Sequence, residues 1–123
     1  DWSSDVCSSD LYKGYFRDPT IITPAEVLHA ATRAGALSQG RDDSGLLAVG
    51  MRADLCVLNT DTPQFTPMTS AACNVVYAAQ GADIRMTMVD GEVLYRDGEF
   101  KTIDIEKVKA EVQRRTDSIL SRL

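Results

Sequence analysis

The chain has 123 residues, 44% hydrophobic and 25% charged, with a formal net charge of −5 and a pI near 4.7. That length holds one small domain but not a closed (β/α)8 barrel, which takes about 250 residues. The acidic balance, with no basic patch, argues against nucleic acid or an anionic membrane as partner, and no apolar run approaches the ~18 residues of a membrane span, so a cytoplasmic protein is expected.

Residues 1–11, DWSSDVCSSDL, stand apart. They hold three acids, four serines and no base, with apolar positions that fit neither a helical nor a strand period. The string resembles the in-frame translation of a sequencing adapter. It is therefore expected to be a non-native leader, with the native chain severed just before Tyr12. Cys7 and Trp2, the only tryptophan, leave with it. From Tyr12 the chain carries Gly14, three aromatics and Asp18-Pro19, and the proline ends any preceding helix before Asp18.

Thr23-Pro24-Ala25-Glu26 is a helix start, with Thr23 as cap, Pro24 in the first turn and Glu26 placed to close a capping box. The spacing predicts a helix over about 24–39 with Val27, Leu28, Ala31, Ala34 and Leu37 on one face, bent at Gly35 and ended by Gly40. His29, the only histidine, falls in this helix. A hydrolytic metal site needs several imidazoles, so His29 reads as structural or solvated.

The stretch Gly45 to Leu58, GLLAVGMRADLCVL, organises what surrounds it. Gly45 and Gly50 supply positions that tolerate φ > 0 and bracket a turn into a strand over 53–58. Asp54 reads as a turn or strand-edge carboxylate that accepts backbone N–H groups. Cys56 and Cys73 read as buried reduced thiols, since three cysteines are an odd set without metal-ligand spacing. Residues 59–70 are loop, with Pro63 and Pro67 blocking ladders, and Ala71 to Ala79 suits a short helix stopped by Gly81. Asp90-Gly91 centres a type I′ hairpin over 84–96, Arg96-Asp97-Gly98 turns the chain again, and the resulting meander has open edges.

The tail, 104–123, is an amphipathic helix capped by Asp104, with Ile105, Val108, Val112, Ile119 and Leu123 in one stripe and Glu111 paired with Arg115. Thr116 interrupts any coiled-coil seam. No nucleophile elbow, phosphate-cradling loop or paired cysteines occur. The sequence assigns no residue a catalytic, cofactor-binding or metal role.

Leu47, Gly50, Ala53, Asp54 and Leu55, with the helix before them, resemble the segment that leaves the catalytic barrel in the metal-dependent amidohydrolase superfamily, and the likeness runs from about Asp18 to Asp104. Phe65-Thr66-Pro67, Val76-Tyr77-Ala78-Ala79 and Val89-Asp90-Gly91 are most similar to the branch of adenosine-type deaminases and triazine hydrolases. The resemblance implies a mixed α/β fold: the C-terminal piece of a (β/α)8 barrel enzyme with part of its small β-sandwich and a terminal helix. It assigns 12–44 to the end of the last barrel repeat and 45–103 to the sandwich. Such enzymes hold zinc or iron through a His-x-His pair, two further histidines and an Asp. The metal-bound hydroxide attacks a ring carbon bearing an amino or halide group, a hydrolysis of non-peptide carbon–nitrogen bonds in the deaminases. Those ligands precede the helix at Thr23, so the resemblance carries none onto this chain. A small-molecule substrate then belongs to the full-length enzyme, whose N-terminal barrel is this piece's expected partner, and the piece alone is expected to be inert. The alternative is a free-standing, non-enzymatic α+β module that binds a partner through its hairpin and terminal helix.

Overall fold

The computed structural model describes residues 10–122, so residues 1–9 of the expected leader and Leu123 of the expected stripe lie outside it. Asp10 and Leu11, which the sequence reading set apart, are instead helical with residues 12–16. Leu11 and Tyr15 fall four residues apart, and the Tyr12 and Phe16 rings stack with centroids 6.3 Å apart, a one-turn spacing that suits a helix. This first helix (α1, residues 10–16) stops before Asp18-Pro19, as the proline demands.

The helix expected over 24–39 is present as α2 (Pro24–His29), a π-helical turn (Ala30–Ala34) and α3 (Gly35–Ser38). Its start is a complete capping box. Glu26 Oε2 accepts from the Thr23 backbone N–H at 2.6 Å and from the Thr23 hydroxyl at 2.8 Å, while the Glu26 N–H donates to Thr23 Oγ1. These bonds hold the Glu26 carboxyl below its ordinary range, the backbone N–H contributing most. The irregularity expected at Gly35 comes just before it, as the π turn. The extra residue shifts the face beyond it, so Leu37, expected inward, is 49% exposed.

Four strands form one antiparallel sheet in the order β1-β2-β3-β4: β1 (Leu55–Leu58), β2 (Ile84–Val89), β3 (Glu92–Arg96) and β4 (Glu99–Phe100). The β2–β3 hairpin turns on Asp90 (φ 53) and Gly91 (φ 81), the conformation a type I′ turn requires. The register sets Leu55 opposite Met88, Cys56 opposite Thr87 and Val57 opposite Met86, with an irregularity before Leu58. The register continues from Thr87 to Tyr95 and from Tyr95 to Phe100, whose rings sit 5.1 Å apart. β1 starts two residues later than expected because its pairing begins at Leu55 opposite Met88, and Ala53 before it meets the Asp90-Gly91 turn, its carbonyl accepting from the Gly91 N–H.

Between β1 and β2 come a 3₁₀ turn (Pro63–Phe65), α4 (Ala71–Tyr77) and a second 3₁₀ turn (Gly81–Asp83). Ser70 caps α4. The helix expected to reach Ala79 ends at Tyr77, and Gly81 opens the next turn instead. The buried apolar side chains are Val27, Phe65 and Val76, which join α2, the first 3₁₀ turn and α4. α5 (Ile105–Leu120) follows, with the Asp104 carboxylate accepting from the Lys107 N–H at 3.0 Å. Among the described residues, no helix is long and apolar enough to cross a membrane.

Candidate functional site

The polar groups of this chain converge at a seam where the helix of residues 24–38 meets the turn feeding β1. Gly45, at φ +76, brings its backbone so close to the π turn that a Cβ there would lie 2.6 Å from the Thr32 carbonyl oxygen and 2.9 Å from the Arg33 Cα. Only glycine suits both that φ and that approach. Arg33 then reaches out of the π turn. Its Nη1 donates to the carbonyls of Asp42 (2.9 Å) and Ser44 (2.7 Å).

Ser44 is buried, and its hydroxyl lies between the carboxylates of Asp43 (3.2 Å) and Asp54 (3.5 Å). The other oxygen of Asp54 accepts from the backbone N–H of Asp90 at 2.7 Å. Gly91 N–H donates to the Ala53 carbonyl at 3.1 Å, and Arg52 pairs with the Asp90 carboxylate at 3.1 Å. Asp54 therefore does what the sequence reading expected, holding a turn by its backbone donor, and in doing so it fastens the start of β1 to the hairpin tip.

A buried carboxylate, Asp83, was not singled out from the sequence. Its oxygens accept from Gln64 Nε2 at 2.7 Å and from the Gln80 N–H at 2.8 Å, and its own carbonyl accepts from the Asn59 N–H at 2.7 Å. Gln80-x-x-Asp83 has capping-box spacing, the signal that could have found it. Both carboxylates are engaged by donors of the scaffold, an arrangement that positions loops.

His29 is exposed on α2. Cys56 and Cys73 are free thiols, but the expectation that both are buried fails: Cys56 is exposed and Cys73 half-buried. β1 is an edge strand, and Cys56 lies across from Thr87, Sγ to Oγ1 3.8 Å. Among the described residues, no three His, Cys, Asp or Glu side chains come together in a way that could hold a metal ion. These residues do not fit the hydrolytic metal that the resemblance implies.

A small mixed α/β unit built around a glycine-seated turn, its parts held together by polar ties, is the class that fold and seam define. The amidohydrolase family pattern matches residues 9–95, and the chain belongs to that family. The 5-methylthioadenosine/S-adenosylhomocysteine deaminase of Desulfitobacterium hafniense is 37% identical over all 123 residues, yet the chain spans only 28% of that protein's length. The zinc-bound structure of an adenosine deaminase from Xanthomonas campestris superposes with a TM-score of 0.91 at 25% identity, covering 98% of this chain and 28% of that one. The zinc complex of atrazine chlorohydrolase from Arthrobacter aurescens gives a TM-score of 0.69 at 25% identity over 75% of this chain and 20% of that one. Both the deaminases and the triazine hydrolases anticipated from Phe65-Thr66-Pro67 and Val89-Asp90-Gly91 are thus among its relatives.

Proposed function

We propose that this chain is the C-terminal part of a metal-dependent hydrolase that deaminates an adenosine-type nucleoside, and that it serves the enzyme as scaffold. One observation carries the reading: 98% of the chain superposes on a zinc-bound adenosine deaminase of which it covers 28%, with deaminase relatives matching it along its whole length. On this reading 12–44 is the end of the last barrel repeat and 45–103 the C-terminal share of a small sandwich. The metal, the ring-binding pocket and the proton-moving carboxylates belong to the part of the enzyme outside this chain. The free thiols of Cys56 and Cys73 suit a reducing cytoplasm.

The scaffold role is what the geometry supports. Arg33, Ser44, Asp54 and Asp90 hold one helix, one turn and one hairpin in a fixed relation, so loops mounted on that helix would be fixed as well. The test is a deaminase assay on two proteins. One is the chain alone. The other is a chimera in which the chain replaces its matching segment in the Desulfitobacterium deaminase. The reading expects ammonia release from 5-methylthioadenosine by the chimera and none by the chain. Turnover by the chain alone, or a folded chimera without turnover, contradicts it.

A further inference from the structure

We propose that the apolar stripe of α5 is a docking face for the body of a longer amidohydrolase chain, the part that lies outside the segment this chain spans. The inference rests on the reading above and adds which surface makes the joint. Within α5 every residue but Glu111 and Ser118 is exposed. Val108 is 45%, Val112 58%, Ile119 62% and Leu120 61% exposed. Val108 and Val112 lie on one face of the helix beside Lys107, Glu111 and Arg115.

Helices in proteins are held mostly by packing of an apolar face, and here, among the described residues, the stripe stays open. Yet the superposition on the Xanthomonas deaminase takes in 98% of this chain at a TM-score of 0.91. α5 therefore stands in nearly the same place in a protein of which this chain covers only 28%. The surface that would hold it there lies in the remainder. Charge is arranged for such a joint. Glu111 is paired with Arg114 and Arg115, and Lys109 with Glu106, all within the helix at 2.7 Å, so covering the stripe strands none of these charges. A second copy of α5 fits less well, because Thr116 breaks the seam and 16 residues leave fewer than three heptads.

Hydrogen exchange on the chimera tests this. Amides of α5 are expected to exchange at least about tenfold more slowly in the chimera than in the chain alone. Val112→Asp combined with Ile119→Asp should abolish that protection while leaving the helical circular dichroism of the chain alone unchanged, since both side chains already face water there. Equal exchange in the two proteins, a harmless double substitution or an insoluble chimera overturns the proposal. So does a dimer of the chain alone that the same substitutions dissociate while α5 stays unprotected in the chimera. Protected α5 without deaminase activity leaves the docking face standing and removes the functional reading. Activity with unprotected α5 does the reverse.

Discussion

Glu111 shows what a single side chain contributes here. Hydrogen bonds from Arg114 first and Arg115 second pull its carboxyl from the ordinary 4.5 down to about 2. Because the folded value is depressed, the interaction is fully present above about pH 4.5 and is lost as the pH falls toward 2. The group is solvated, so its energetic weight is small, but the titration itself is readable. An NMR titration of Glu111 should show a midpoint near 2, moving up toward the ordinary glutamate value when Arg114→Ala and Arg115→Ala are combined. An ordinary midpoint in the unsubstituted chain would show that the bonds do not persist in solution. Asp54 was legible because an acid before an apolar strand has few structural uses. Asp83 was less so, since what marks it is the loop that closes over it, and Gln64 stands nineteen residues away.

Among elements, the decisive joint is Gly45 against the π turn. A methyl group at Gly45 meets backbone on one side and an unfavourable φ on the other, and backbone does not swing aside as a flexible side chain does. Gly45→Ala is expected to destabilise the chain by about 1–3 kcal/mol in urea unfolding. Gly14→Ala, in a helix with nothing within 4 Å of the new methyl, should be neutral or mildly stabilising. Equal effects at the two sites would mean the seam is not closed in solution. Local signals reached most elements: the capping box at Thr23, the Asp90-Gly91 turn and the Asp104 cap each lie within four residues of what they control. The π turn escaped, because the features that mark it, the Thr32 hydroxyl donating to the Leu28 carbonyl at 2.7 Å and the close approach of Gly45, leave no signal in the hydrophobic spacing. The shortened β1 escaped because what ends its ladder is the hairpin turn at Gly91, whose N–H donates to the Ala53 carbonyl, far along the chain.

Over the whole molecule, surface area tells most. The chain exposes 9139 Å², where a compact monomer of 13.4 kDa exposes about 6,500 Å². The apolar side chains that lie open are those a larger protein would cover: Leu11, Tyr15 and Phe16 on α1, Val57 on β1, and the stripe of α5. The burial expected for Cys56 failed because its sequence context reads as a core strand, whereas β1 lies at the edge of the sheet and leaves the thiol exposed. The family was readable from Gly50, Ala53, Asp54 and Leu55 together with the hairpin, while the seam that joins Arg33, Ser44 and Asp54 was not, because residue types alone do not show which groups a fold brings together.

The central claim is that this chain belongs to a longer metal-dependent deaminase, and long-read sequencing of the source DNA across and upstream of the Tyr12 codon tests it most directly. The expected result is a reading frame that continues upstream into a His-x-His strand, two later histidines and an aspartate. A start codon and ribosome-binding site immediately before Tyr12 would contradict it, leaving the hairpin and α5 as the binding surface of a free-standing module.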